Sequence, residues 1–403
     1  MRLQLIGAVT VVALVARADP AEADASTSPP APKQSSVVAS ASGEMAVYAD
    51  TDHITVVTPT ATATVGDRLS AWTVRGQYLV DAISAASVDI VSTASQRWQE
   101  VRQAGSVQGT YKPGSFGIGA SAAISSEPDY LSLAGGANLS WDFFHKSHTF
   151  FVGVAHAHDT IGRSGTPFDV YSQALNSETV NAGITLTLNR STVLSFVDEV
   201  GIERGDQSKP YRYVPMFGAD VAPTIGKGES IDVVNERRLQ VRPLEHLPES
   251  RERYSLTARL GYRFGRGTLR IDERLYTDTW NLHASTTEMR AYWDVSRRLM
   301  IWPRLRVHVQ TPVSFWQRAY VATNGPGGTL EVPRYRTGDR ELGPLESFGG
   351  GAGATFAIGR DPDPSRLALT FQLDAMSTQF LDDLYVSSRM AGLATLGLQG
   401  VFE

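Results

Sequence analysis

The stretch RLMIWPRLRVHVQTP, residues 298 to 312, places Arg304, Arg306 and His308 between Ile301, Leu305, Val307 and Val309. On a helix the charged and apolar sets would mix around the axis, since side chains recur there every 3.6 residues; on a strand they separate. One face carries Ile301, Pro303, Leu305, Val307 and Val309, and the other Met300, Trp302, Arg304, Arg306, His308 and Gln310. That second face has to be wet or polar. Alternation of this kind fits a soluble sandwich or a membrane barrel, so the rest of the chain must decide.

The same period runs from about residue 44 to the C-terminus, punctuated by Gly, Pro, Asp and Asn. Val180, Ala182, Ile184, Leu186 and Leu188 share one face; so do Tyr254, Leu256, Ala258, Leu260, Tyr262 and Phe264, and again Leu367, Leu369, Phe371, Leu373 and Ala375. The segments run about 10 to 14 residues, longer than a typical globular strand and suited to a tilted spanning one. No convincing amphipathic helix interrupts them. Very short turns at 189 to 192, 265 to 268, 296 to 299 and 359 to 366 alternate with long polar loops near 159 to 177, 205 to 250 and 319 to 343. Outer-membrane barrels sort their connections this way, with tight periplasmic turns and long outer loops. The short connection near Asn281 falls on the outer side.

These features predict an all-β transmembrane antiparallel up-and-down β-barrel. About 15 strands can be counted, and a barrel of this kind has an even number, so 14 or 16 is expected. The ambiguity lies in residues 44 to 64, which read as one strand or two. Trp98, Trp141, Trp280 and Trp316 fall near segment ends, where an indole can straddle apolar and polar zones. The last segment puts Met390, Ala394, Leu396, Leu398 and Phe402 on one face, similar to a strand read by the barrel-assembly machinery, with Glu403 following the Phe.

Upstream, Arg2, the apolar stretch Leu3 to Val15 and Ala16-Arg17-Ala18 form the three parts of a cleaved export signal, expected over residues 1–18. Residues 19–43, rich in Ala, Ser and Pro, read as a disordered linker, with the barrel over 44–403. After the N-terminus no run of roughly 18 apolar residues occurs, so no spanning helix is expected. Cysteine is absent, which excludes disulfides, thiolate metal sites and a cysteine nucleophile. With 37 basic and 42 acidic residues, a net charge of −5, the chain is not expected to bind nucleic acid.

VYADTDHITVVTPTATA at 47 to 63 and YLVDAISAASVDIVSTAS at 78 to 95, followed by WQEVR, resemble the domain of unknown function 3570 family of exported bacterial proteins. The matching positions are Tyr48, Asp50, Asp52, Asp81, Ile83, Ser84, Ala86 and Ser87, with Ala85 where the family usually has Gly. The resemblance implies an outer-membrane barrel and supplies no activity. Physically, Asp81 reads as a strand-end acceptor for Ser84, Ser87 or nearby amides, fixing a corner, with a ligand site as the alternative.

On the polar side of the C-terminal strands lie Arg259, Arg263, Arg270, Asp272, Arg274, Arg290, Asp294, Arg304, Arg306, Asp374 and Arg389. Inside a barrel they form a mixed-charge belt. They either brace one another or make a basic constriction favouring anions. His148, His156 and His158 share a parity, and His156 with His158 could hold a transition metal with Asp159 nearby, although plain surface or lumen polarity explains them as well. The glycines at 114 to 119 and 349 to 354 lack the strand-to-helix context of a nucleotide loop and are read as permitting curvature or close packing. RGD at 204 to 206 reads as a turn. No Gly-x-Ser-x-Gly elbow is present, and neither an enzyme nor a cofactor is expected.

The function expected is a pore or transporter for a small polar or anionic solute in the outer membrane of a Gram-negative bacterium. The alternatives are a non-conducting anchor or envelope-assembly component that displays its outer loops, and a secreted soluble β protein. Outer-membrane lipid and the barrel-assembly machinery are the partners this implies.

Overall fold

The computed structural model describes residues 36–84, 100–163, 165–325, 329–359 and 366–402. The expected signal (1–18), most of the expected linker, Ala86, Ser87 and Trp98 lie outside them. The first strands are β1 (Val37–Asp50), β2 (Thr55–Asp67), β3 (Trp72–Ile83), β4 (Glu100–Tyr111) and β5 (Phe116–Glu127). Then come β6 (Tyr130–Phe143), β7 (His148–Ile161), β8 (Gln173–Asn189), β9 (Thr192–Gly205) and β10 (Ser250–Phe264). The series ends with β11 (Gly267–Asp278), β12 (His283–Asp294), β13 (Leu299–Gln310), β14 (Leu345–Ala357), β15 (Leu367–Phe380) and β16 (Ser388–Phe402). Each pairs antiparallel with the next, and β16 returns to β1, with Ala39 opposite Phe402, closing a 16-strand barrel.

Residues 44 to 64 divide at a tight corner between β1 and β2, which settles the even count at 16. The corner is built locally: Asp50 accepts the amides of Asp52 and Ile54 at 3.0 Å each, and His53 takes the left-handed conformation at φ 64°. One boundary differs from the sequence reading. β1 starts at Val37, inside the expected linker of residues 19–43, because the Val-Val-Ala-Ser-Ala-Ser run has partners on both sides, β2 and β16.

The alternation sorts as a membrane requires, since hydrocarbon offers no partner to an unpaired amide and tolerates only a closed sheet with an apolar exterior. Ile301, Leu305, Val307 and Val309 stand exposed on the outer face of β13, as do Leu369, Phe371 and Leu373 on β15. Trp141, Phe264, Trp293, Phe356 and Phe402 ring the periplasmic ends, with Trp141 and Phe402 61% and 62% exposed. Of the expected tryptophans, Trp141 belongs to this girdle. Trp280 and Trp316 do not: Trp280 is 4% exposed in a loop cluster with Leu247, Leu282, Val313 and Leu342, against which Trp316 packs. Both sit in connections beyond the strands, where apolar loop neighbours take the place of lipid.

The long outer loops are folded rather than simply polar. The β9–β10 loop carries the short helix α1 (Ile231–Arg237), whose first turn is capped by the Ser230 hydroxyl accepting the Val233 amide; the sequence reading placed no helix here. Phe217, Ala222, Ile225 and Val234 from this loop pack with Leu384 of the β15–β16 loop. Val214 and Met216 pack with Tyr320 and Ala322 of the β13–β14 loop. Through Tyr211 the β9–β10 loop reaches Asp129 in the β5–β6 turn at 2.6 Å, and its Gly228 and Glu229 amides donate to Asp383 and Leu384 on the other side. A loop held at both places crosses the outer mouth, and together the three loops form a cap. Arg340 of the β13–β14 loop fixes it to the β1–β2 corner through Asp52 at 2.5 Å, with both side chains nearly inaccessible.

Replacing Leu305 by Arg, mid-strand on the outer face, is expected to cost about 2–4 kcal/mol of barrel stability in lipid, read from denaturant unfolding in bilayers. Serine in the inward position 304 is expected to cost far less.

Candidate functional site

The inward faces of β9 to β15 carry an arginine–carboxylate ladder. Arg259 and Arg270 both donate to Asp272, at 2.9 and 2.8 Å. Arg274 lies 3.5 Å from Glu199. Glu288 is the hub: Arg290 binds it, Arg304 stands 3.4 Å and Arg306 3.9 Å from it, and Arg304 also reaches Asp374 at 3.3 Å. At this level Arg259, Arg270, Arg274, Arg290, Arg304 and Arg306 outnumber Glu199, Asp272, Glu288 and Asp374, so the wall keeps a positive excess after pairing. Arg259, Arg274 and Arg306 remain about half exposed to the lumen, so their guanidinium groups keep unused donors.

Three of the residues grouped by sequence lie elsewhere. Arg263 and Asp294 stand 3.7 Å apart at the periplasmic end, lining a small cavity with Arg266, Tyr292 and Met300. Arg389 lies at the outer end of β16, buried over the Phe380 ring and 3.2 Å from Glu341 of the cap. Parity alone put them on the right face and could not give their height. Glu199 and Glu288 went unremarked in the sequence, although Glu288 shares its parity with Arg290 and Asp294.

The facing wall is of another kind. At mid-strand, β4 to β8 turn Ser106, Ser121, Gly136, Gly153 and Asn181 inward, small and uncharged. The lumen is therefore electrically lopsided at its middle, cationic on one side and neutral on the other. A barrel of this strand number leaves room for water between the walls.

The glycine run of β14 serves the ladder. A Cβ on Gly351 would stand 2.1 Å from an Asp374 carboxylate oxygen, and one on Gly353 would stand 2.3 Å from the Trp302 indole. These glycines give Asp374 space beside Arg304 and let Trp302 lie flat against the sheet, 5.9 Å from the Tyr292 ring. The expectation of close packing at 349 to 354 thus has a specific cause.

The family-motif positions gather at the outer rim. Tyr48 donates to Asp50 at 2.8 Å, and Asp52 holds Arg340 of the cap. Asp81, 6% exposed, accepts the Thr58 hydroxyl at 2.6 Å and pairs with Arg102 at 2.6 Å. Among the described residues its partners come from the two neighbouring strands, since an inward side chain on β3 faces β2 and β4. Ser84 instead accepts the Thr55 amide at 2.8 Å.

The histidine grouping dissolves. His148, His156 and His158 share the outward face of β7 with Phe150 and Val154, whereas Asp159, one residue on, faces inward. A strand points consecutive side chains to opposite sides, so Asp159 cannot complete a metal site with His156 and His158. His158 bonds Asn176 at 2.8 Å, and His148 bonds Ser147 at 2.8 Å.

Above the lumen the cap has a buried polar centre. Glu245, 3% exposed, takes Arg212 at 3.2 Å, the Thr337 hydroxyl at 2.5 Å and the Lys209 amide at 3.0 Å; Arg212 also reaches Asp339 at 2.8 Å. Burial pushes the Glu245 carboxyl up, and Arg212 beside it opposes the shift. Tyr320, pushed up to about 12 by burial, accepts the Thr337 amide and donates to the Phe315 carbonyl.

Comparison with known proteins gives one family match: the model of a protein of unknown function (DUF3570) matches residues 95–361, more than half of the chain. That span begins where the two motif stretches at 47 to 63 and 78 to 95 end. No curated protein sequence matches. Among solved structures, CdiB from Acinetobacter baumannii aligns with a TM-score of 0.50 at 9% identity, over 90% of this chain and 60% of its own. The siderophore receptor PirA from Acinetobacter baumannii gives 0.42 at 9% identity, over 86% and 53%. The outer membrane protein opdK from Pseudomonas aeruginosa gives 0.42 at 5% identity, over 91% and 99%. The chain thus spans about half the length of the siderophore receptor. At such identities the likeness concerns the barrel fold alone.

Two outcomes are expected of substitutions here. Glu245→Ala leaves Arg212 buried with half its counter-charge and is expected to cost the cap about 3 kcal/mol, seen as faster amide exchange across residues 205–250 while the barrel keeps its heat-modifiable gel mobility. Gly351→Ala displaces Asp374 or the strand behind it and is expected to cost about 1–3 kcal/mol in a denaturant titration.

Proposed function

The chain belongs to the DUF3570 family of proteins of unknown function, and we propose that it is an outer-membrane pore for a small anionic solute. The observation that carries the reading is the lopsided lumen, with Arg304 and Arg306 on one wall facing small neutral residues on the other. An anion crossing here meets guanidinium groups whose carboxylate partners neutralise them only in part, while the smooth wall leaves it room to pass. The bracing reading and the constriction reading are compatible. Glu288 holds three arginines in place, and fixed arginines make a sharper field than mobile ones.

The cap supports a second reading from a different class. Loops that cross the mouth and carry their own apolar cores are also what a non-conducting anchor displays to a partner. Export through a leader over residues 1–18 belongs to both readings.

Planar-bilayer recording of the purified barrel separates them. On the pore reading the wild type conducts with anion preference, and replacing Arg304 and Arg306 by Ser moves the reversal potential toward cations by a clear margin in a salt gradient. Absence of any unitary conductance favours the anchor, and identical single-channel behaviour in the double variant removes the constriction.

A further inference from the structure

The two ends of the lumen differ in how they are covered. Three loops cross the outer mouth and are tied to the rim through Arg340 and Tyr211, whereas the described turns at the periplasmic end are only a few residues long. The arginine wall is therefore approached most directly from the periplasmic side. On that side the chain also enters its barrel. β1 runs upward from Val37, and the Ser36 carbonyl accepts the Arg68 amide of the β2–β3 turn at 3.0 Å, which fixes the entry point at the periplasmic rim.

Residues 19–35, which precede that point, read DPAEADASTSPPAPKQS. Their charges are ordered: Asp19, Glu22 and Asp24 come first, and Lys33, the single base, lies next to the rim. Asp24 is twelve residues before Ser36, and a chain of that length spans at most roughly 40 Å. Arg304 and Arg306 stand five and seven residues above Leu299, the periplasmic start of β13, which at about 3.3 Å per residue and the usual tilt is roughly 13–18 Å up the lumen. β13 is four strands from β1, or roughly 20–25 Å along the wall at about 4.8 Å per strand. Height and arc combine to roughly 30 Å, so the acids reach the arginines with length to spare.

We propose that the segment ahead of β1 is the resident ligand of the lumen, with the carboxylates of Asp19, Glu22 and Asp24 bound to Arg259, Arg274 and Arg306 on the arginine wall. Each of these guanidinium groups gives only part of its fork to Asp272, Glu199 or Glu288 and is about half exposed to the lumen, which leaves donors for a second carboxylate. The facing wall of small neutral side chains offers an acid no such partner. A ligand tied to the mouth by so short a tether is present at an effective concentration on the order of millimolar, so binding of modest strength fills the site. The contact is independent of conduction: in a pore it lies across the anion's route, and in an anchor it fills the interior.

The lack of cysteine permits paired reporters in the whole chain, purified after export and held in lipid bilayers. Ala25→Cys marks the segment. His308→Cys, two residues beyond Arg306 on the same face of β13, marks the arginine wall, and Ser121→Cys, inward on β5, marks the neutral one. β13 and β5 each stand four strands from β1, so the tether favours neither. On oxidation, Ala25→Cys is expected to join His308→Cys within one chain roughly tenfold faster than it joins Ser121→Cys, and adding Glu22→Lys with Asp24→Lys is expected to abolish the preference. Heat-modifiable mobility reports that each variant is folded, and Thr286→Cys, inward on β12, takes the place of His308→Cys if the latter does not fold. Equal rates to both walls, no cross-link to either, or a preference that survives the charge reversal overturns the proposal. The readout is a covalent bond and not a current, so a barrel that conducts nothing removes the pore reading and leaves the seated segment standing.

Discussion

The constraint from which this structure follows is that hydrocarbon provides no hydrogen-bond partner. Every backbone amide between the aromatic girdle and the outer rim must be paired within the sheet, and a sheet has no unpaired edge only when it closes. The return of β16 to β1 is therefore the pairing that the others require. Once the sheet is closed, strict alternation distributes the side chains. The residues that lipid accepts go outside, and those it refuses are forced into one shared interior, where Arg259, Arg270, Arg274, Arg290, Arg304 and Arg306 have to find partners in one another's company.

That confinement explains the ladder. An isolated guanidinium in a lumen is costly to hold still, and a carboxylate between two arginines offsets the repulsion of both. Glu288 and Asp272 each do this, and Gly351 and Gly353 make the space that lets Asp374 and Trp302 lie close to the wall. The charge sits on the side of the barrel whose strands follow the longest loop. At mid-strand, β4 to β8 contribute small neutral side chains, so the lopsidedness is laid down along the chain rather than produced by folding.

Much of this was legible from the residues. Period-two patterning assigned the faces of β8, β10, β13 and β15 correctly, and the even-number rule narrowed a count of about 15 to 14 or 16, of which the closed sheet has 16. What escaped is what has no period. Val214, Met216, Ile225, Val234 and Tyr320 are scattered through loops, and nothing in their spacing announces that they pack into a cap. Height along the barrel escaped too, because register depends on partners far away in sequence; hence Arg263 and Arg389 were grouped with residues well above or below them. The outward placement of His156 and His158 was within reach, since the parity that groups them also joins them to Phe150 and Val154.

The cap and the lumen constrain each other. The cap is tied to the rim at corners, through Arg340 to Asp52 and through Tyr211 to Asp129, and corners of a closed barrel do not move independently of the strands they join. Parting a buried ion pair such as Arg340 with Asp52 costs on the order of 3–5 kcal/mol, and the Glu245 centre and the apolar clusters would have to yield with it if the cap lifted as one body. The fraction of molecules with the mouth uncovered at rest is then well below one in a hundred. On the pore reading, the resting route must run through gaps between the cap and the rim rather than through its removal. The size of those gaps, and not the width of the barrel, then sets how large an anion can reach the arginine wall from outside.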